Sequence, residues 1–165
     1  MKTLIKYYVV LAVLLFTAFV NSHAQQPSNV EAAVNEIVRK YEDVQGVSCM
    51  TFVKGGGLEI VKLSFKKQFG KEFMKGVTSI TIIEYGDASD ETCVALRKEF
   101  DVFQTLLQEF NLGGEKQFAD EDYARCFALI SEPGTLSDFV MALESGKSKM
   151  AIYMAGKIKF EEDVE

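Results

Sequence analysis

The sequence predicts an α+β domain: a mainly antiparallel sheet of about five strands with two or three helices packed on one face. Three observations predict it. Apolar residues recur at helical spacing in the first and middle parts of the chain, short β-branched segments lie between them, and the last third contains apolar segments separated only by tight turns. Because such short separations are typical of hairpins, we expect a C-terminal three-stranded meander.

Residues 1–24 have the pattern of a cleavable secretory signal. Lys2 and Lys6 supply a positive start, residues 9–20 form an apolar run, and small residues lead up to Ala24. This run of about twelve residues is shorter than the roughly twenty that span a bilayer. We therefore expect cleavage after Ala24 and a periplasmic or secreted protein of the Gram-negative type, with an uncleaved anchor as the alternative.

The remaining chain has the length and charge of one acidic domain. Removal of residues 1–24 leaves 141 residues with 16 basic and 24 acidic side chains, a net charge of −8. We expect a single domain over 25–160 and an acidic tail over 161–165. A negative surface repels nucleic acid and anionic headgroups, so both are disfavoured as partners. No stable membrane anchor is expected after signal cleavage, because no cysteine follows the apolar run to carry a lipid.

The first half of the domain alternates helical and β-type patterns. Ser28 and Glu31 have the spacing of a capping box, and apolar residues then recur every three or four positions, which predicts a helix over 28–44. Gly46 ends this helix. Residues 47–53 are rich in β-branched and aromatic side chains and predict a strand.

Residues 55–85 contain a glycine turn, an ambiguous segment and a strand. Gly55 to Gly57 predict a flexible turn. Residues 58–75 fit a helix, although their first residues also fit a strand; their length and their lysine-rich second half favour the helix. Residues 77–85 are apolar and β-branched with little interruption, which predicts a strand.

The clearest periodic pattern in the chain follows. Six apolar residues alternate steps of three and four, so they lie on one face of a predicted helix. They are Cys93, Leu96, Phe100, Phe103, Leu107 and Phe110. Asn111 and the Gly113-Gly114 pair are expected to end this helix.

The last third predicts strands only. Apolar segments cover residues 123–131, 136–143 and 148–158. The first two are separated by Pro133-Gly134, and the last two by residues 145–147. Both spacers are short enough for consecutive antiparallel hairpins.

Cys49, Cys93 and Cys126 all remain after signal cleavage. An oxidising compartment permits disulfides, but three cysteines cannot all pair within one chain. All three lie in apolar patterns, so three buried thiols are favoured. One bridge plus one free thiol is the alternative. A catalytic thiolate is disfavoured because His23, the only histidine, leaves with the signal.

Two glycine-containing motifs resemble phosphate sites. Gly146-Lys147-Ser148 has the end of a phosphate loop, but Met141 stands where that signature needs glycine, and the setting between two strands predicts a hairpin turn. Gly55 to Gly57 would approach an anion if a helix began at Leu58. A mobile connection is the favoured interpretation of these glycines.

Two acidic clusters resemble cation sites. Residues 87–91 contain Asp87, Ser89, Asp90 and Glu91, and residues 120–122 are Asp-Glu-Asp. Neither has the alternating acids and the sixth-position glycine of a calcium loop. Capping at a helix start explains the first cluster, and a solvated loop explains the second.

A serine and lysine group near residue 147 is the remaining catalytic candidate. Ser145, Ser148, Lys147 and Lys149 are close in sequence, but alternate residues of a strand point to opposite faces. We therefore assign no catalytic, cofactor-binding or metal-binding residue, and no cofactor. An enzyme is not expected.

The chain resembles a family of small exported proteins of unknown function from Bacteroides-type Gram-negative bacteria. The resemblance covers most of the chain after the signal, from the signal end at Ala24-Gln25 onward. The resembling segments are Tyr41 with Gly46-Val47-Ser48, Val77-Thr78-Ser79-Ile80, and Gly146 to Met154-Ala155-Gly156-Lys157-Ile158. The resemblance implies export and an α+β sheet domain. It implies no functional residues.

These observations favour a non-catalytic exported envelope protein that acts as an interaction module. The expected partner is an envelope protein or a small apolar ligand. The alternative is a histidine-independent hydrolase that uses carboxylates or a Ser/Lys pair.

Overall fold

The computed structural model describes residues 28–110 and 123–159. Its helices are α1 (Ser28–Tyr41), α2 (Gly56–Phe69), α3 (Lys71–Lys75), α4 (Asp90–Glu99) and α5 (Phe103–Leu106), with a 3₁₀ turn (Phe100–Val102) between the last two. Its strands are β1 (Ser48–Val53), β2 (Val77–Glu84), β3 (Gln108–Phe110), β4 (Tyr123–Glu132), β5 (Thr135–Ser145), β6 (Ser148–Gly156) and β7 (Ile158–Lys159). The predicted signal, the predicted helix end at residues 111–114, the acidic cluster of residues 120–122 and the 161–165 tail lie outside the described residues.

All strands form one antiparallel sheet. Its order is β1-β2-β6-β5-β4-β3, and β7 pairs with β5. The predicted α+β class and the C-terminal meander β4-β5-β6 are confirmed. The described sheet has seven strands instead of about five, because two short segments join it: β3 pairs with β4 at one edge, and β7 pairs with the first residues of β5.

Helices cover both faces of the sheet, so the prediction of one covered face is wrong. Ile80 and Ile82 of β2 lie in an apolar layer with α2 and α3. Ile83, on the other face, lies in a layer with α1 and α4. The physical reason is in the sequence: β2 and β6 contain consecutive apolar residues, such as Ile82-Ile83 and Ala151-Ile152, which point to opposite faces of the sheet. Such residues are typical of strands buried on both faces.

The predicted helix over 93–110 is broken. Five of its six apolar residues are buried in one layer as expected: Cys93, Leu96, Phe100, Phe103 and Leu107. However, the backbone of Leu107 is extended (φ −131°, ψ 164°). Residues 108–110 then pair with β4 as strand β3. Pairing with a sheet edge here overrides the helical spacing.

The segment 58–75 is helical, as its length and lysines predict, but it forms two helices. Gly70 separates α2 from α3 with φ +88°. Gly55, which precedes α2, has φ +94°. Both values lie in the left-handed region that glycine adopts without a steric penalty. The glycine positions therefore define where α2 begins and ends.

Candidate functional site

Helix α2 is apolar on two opposite faces. Leu58 is buried against the sheet, and Val61 and Phe65 pack beside it at helical spacing. On the opposite face, Ile60 is 68% exposed and Leu63 is 63% exposed. These are the most exposed large apolar side chains of the described residues. The sheet accounts for the inner face only, so the outer face needs another explanation.

The segment that contains this outer face is rich in lysine. We define residues 54–75 as the basic arm; its sequence contains six lysines and two glutamates, a net charge of +4. The exposed members are Lys54, Lys66, Lys71 and Lys75. Its two acids lie beside lysines of the arm: Lys62 Nζ is 3.4 Å from a Glu59 carboxylate oxygen, and Lys75 Nζ is 3.8 Å from one of Glu72.

The segment around β7 adds positive charge next to the arm. Helix α3 packs against β7, and the Gly76 backbone approaches the Lys157 carbonyl so closely that an added Cβ would lie 1.5 Å from its oxygen. Lys157 and Lys159 are exposed. The positive surface therefore extends from the arm onto β7.

A separate cleft lies where three connections meet at one end of the sheet. Its volume is about 430 Å³. The ionisable and hydroxyl side chains that line it are Ser48, Glu84, Asp87, Lys147, Ser148 and Lys149. The loops around the cleft are in close backbone contact. A Cβ added to Gly46 would lie 2.3 Å from the Asp87 carbonyl oxygen, and a Cβ added to Gly86 would lie 2.2 Å from the Lys147 carbonyl oxygen. The cleft thus joins residues of both the Ser/Lys candidate and the first acidic cluster.

Cys93 lies beside this cleft. Lys149 Nζ is 3.2 Å from Cys93 Sγ, and the thiol is directed at the backbone carbonyl of Tyr85, 3.7 Å away. Cys93 is 2% exposed. All three cysteines are free, and Cys49 is half-buried on β1. Burial raises the pKa of the Cys126 thiol and, together with Glu42, that of Cys49, so these two thiols are poor nucleophiles at neutral pH.

A buried carboxylate joins α4 to the meander. Glu144 is 4% exposed and accepts two hydrogen bonds from the Arg97 guanidinium, one of them 2.7 Å from Nε. Tyr85 Oη donates a third, at 3.2 Å. The hydrogen bond to Glu144 raises the pKa of Arg97, and burial raises that of Tyr85. Each group of this cluster is satisfied by another, which is typical of a structural network.

A second buried acid lies at a bulge. Asp138 has φ +49° and interrupts the register between β4 and β5. It is 3% exposed and accepts a 2.6 Å hydrogen bond from Tyr153 Oη. Burial raises the pKa of Asp138 and of Tyr153. A neutral Asp138 is therefore favoured in the folded protein relative to the unfolded chain.

The remaining motifs have structural roles. Gly146 (φ +57°) forms the β5–β6 hairpin turn, as predicted. The Ser89 side chain accepts a 3.2 Å hydrogen bond from the Thr92 backbone and caps α4. Within residues 28–110 and 123–159, no group of three or more His, Cys, Asp or Glu side chains is placed to hold a metal ion. None of the helices described is long and apolar enough to cross a membrane.

Sequence reasoning missed the outer face of α2 and both buried acids. Ile60 and Leu63 were detectable, because they fall off the apolar stripe that Leu58, Val61 and Phe65 define. Glu144 and Asp138 gave no comparable signal, since acids in alternating strands ordinarily face solvent.

The chain has no match among family models, among curated proteins or among solved structures.

Proposed function

We propose that the protein is a non-catalytic, exported interaction module that docks through its basic arm. The observation that supports this is the outer face of α2, where Ile60 and Leu63 lie one turn apart and largely exposed. A helix packed on a sheet ordinarily has one apolar stripe. A second, exposed stripe is typical of a surface that a partner covers.

The charge of the arm specifies the sign of the partner. Outside the arm, residues 25–165 contain 10 basic and 22 acidic side chains, so the arm is a positive region on a negative protein. Opposite charges guide association, and like charges oppose it. The arm therefore suits a negatively charged surface, and two arms of two copies repel each other.

Photocrosslinking in the cell envelope tests this proposal. A photoreactive amino acid replaces Leu63 in one variant and Val102 in the other; Val102 is an exposed apolar residue (39%) of the 3₁₀ turn beyond α4. We expect adducts from position 63 and none from position 102. Absence of adducts at 63, or equal adducts at both positions, would contradict docking through the arm.

The cleft supports a second candidate, a histidine-independent hydrolase. It brings Ser148, Lys147 and Lys149 together with the carboxylates of Glu84 and Asp87, and a lysine near a serine can activate its hydroxyl. A fluorophosphonate probe tests it: this candidate requires labelling that Ser148→Ala abolishes and Ser145→Ala leaves intact. Labelling that neither substitution changes contradicts it.

A further inference from the structure

We infer that the negatively charged surface is an anionic lipid headgroup layer, on which the basic arm lies as a reversible peripheral contact. This inference rests on the proposed function and names its partner. The overall charge of −8 opposes such contact when it is averaged over the molecule. The distribution of the charge permits this contact, because the arm alone has a net charge of +4.

The shape of the arm suits a planar surface. Ile60 and Leu63 project from a convex helix on the side opposite to its core contacts with Leu58. A protruding apolar helix face can insert into the deformable headgroup region of a membrane, whereas a protein partner would need a groove of matching shape. Helices with an apolar stripe flanked by lysines lie in the interfacial plane of a bilayer, with the apolar side chains in the headgroup boundary.

Exposed lysines lie along the same segment as the two exposed apolar side chains. Lys54 precedes α2, Lys66 is on its last turns, and Lys71 and Lys75 are on α3; all four are exposed. Lysine side chains extend along an apolar surface while their ammonium groups reach phosphate. Exposed Lys157 and Lys159, next to α3, enlarge the same positive surface.

The two layers of the fold orient the protein. Helices α2 and α3 cover one face of the sheet, and α1 and α4 cover the other. The helical segments of the second layer, residues 28–44 and 87–102, contain nine acidic and four basic side chains, a net charge of −5. An anionic surface attracts the arm and repels this opposite layer, so contact occurs in one orientation.

Vesicle sedimentation tests the inference with purified mature protein. The probes are vesicles of phosphatidylcholine alone and vesicles that also contain phosphatidylglycerol. The variants are Ile60→Ser with Leu63→Ser, and Lys66→Gln with Lys71→Gln and Lys75→Gln. Val94→Ser with Val102→Ser is the matched control, because these valines are 47% and 39% exposed on the opposite layer.

We expect binding to the anionic vesicles that is at least about tenfold weaker in both arm variants, unchanged in the control, and reduced by salt. Equal binding to both vesicle types, or equal binding by the arm variants and wild type, would overturn the inference. If vesicles fail to bind while position 63 crosslinks to an acidic protein in the envelope, the lipid inference is wrong and the proposed function stands. If both measurements fail, both proposals are wrong.

Discussion

At the scale of single residues, the described domain depends on acids that its strands bury. Glu144 is satisfied by Arg97 and Tyr85, and so it joins the β5 strand to helix α4 and to the end of β2. A buried carboxylate is tolerated only when such partners replace its lost water. Removing its charge leaves the Arg97 guanidinium and the buried Tyr85 with a weaker acceptor.

We therefore expect Glu144→Gln to lower the free energy of unfolding by about 2 kcal/mol. Breaking a buried ion pair costs about 3–5 kcal/mol, and the partial exposure of Arg97 reduces this. Urea denaturation measures it. Glu36→Gln is the control, because Glu36 forms a comparable contact with Arg39 in which both side chains are exposed. Equal effects of the two substitutions would contradict the structural role of Glu144.

Asp138 gives a second prediction, on pH dependence. Burial raises its pKa, so the folded state holds its proton more tightly than the unfolded state, and stability falls as pH rises above the unfolded pKa of about 3.9. Asp138→Asn keeps an acceptor for Tyr153 and tolerates φ +49°.

The asparagine variant is expected to be more stable than wild type at pH 7 and to lose that advantage near pH 3. Denaturation at both pH values measures it. Asp138→Ala removes the acceptor of a buried hydroxyl and is expected to cost about 1–3 kcal/mol near pH 3, and less at pH 7, where it also removes the buried carboxylate. An asparagine variant less stable than wild type at pH 7 would refute the argument from burial.

At the scale of elements, α2 has one face that the core uses and one that it does not. We expect Leu58→Ala to cost about 2–4 kcal/mol, since Leu58 is buried. Ile60→Ser with Leu63→Ser is expected to change stability by less than about 0.5 kcal/mol per site, because both are exposed. Thermal denaturation compares them. A large loss from the outer pair would show that this face belongs to the core.

Sequence patterns predicted the elements better than their boundaries. The helix α1 and the C-terminal hairpins can be predicted, because buried residues of a helix recur every three or four positions and hairpin strands are separated by short turns. The end of the helix at Leu106 cannot be predicted from the sequence, because Leu107 continues the helical spacing. Residues 108–110 form a strand only because they pair with β4. The division of helices between two faces is implicit in the consecutive apolar residues of β2 and β6, such as Ile82-Ile83 and Ala151-Ile152, because neighbouring residues of a strand point to opposite faces.

The candidate surface, too, can be predicted only in part from the sequence. The lysines near residue 70 favour a helix over a strand, but their number alone does not predict a docking surface. That Ile60 and Leu63 point outward follows once Leu58 is placed on the sheet. The cleft of Lys147 and Asp87 joins segments far apart in sequence, and no local pattern predicts their meeting.

At the scale of the whole molecule, charge is divided between the arm and the remaining surface. Each lysine near an anionic bilayer contributes about 1 kcal/mol, which ionic strength reduces. Burying part of two aliphatic side chains adds a similar amount per residue, about 1–2 kcal/mol. Together these favour weak, reversible docking.

Export gives a prediction for the intact chain. If residues 1–24 are a cleaved signal, the secreted protein begins at Gln25. After denaturation, three thiols are then alkylated, because Cys49, Cys93 and Cys126 are free. Intact-mass spectrometry before and after alkylation measures both. A mass that includes Met1, or a two-dalton deficit with one reactive thiol, would contradict the respective expectation.

Docking through the basic arm is tested most directly by a polarity-sensitive fluorophore on its outer face. The fluorophore is attached at Leu63→Cys in a Cys49→Ser background, and at Val102→Cys in the same background as the control. On addition of envelope membranes, we predict a blue shift at position 63 and none at position 102. An unchanged spectrum at 63, or the same shift at both positions, would contradict the account.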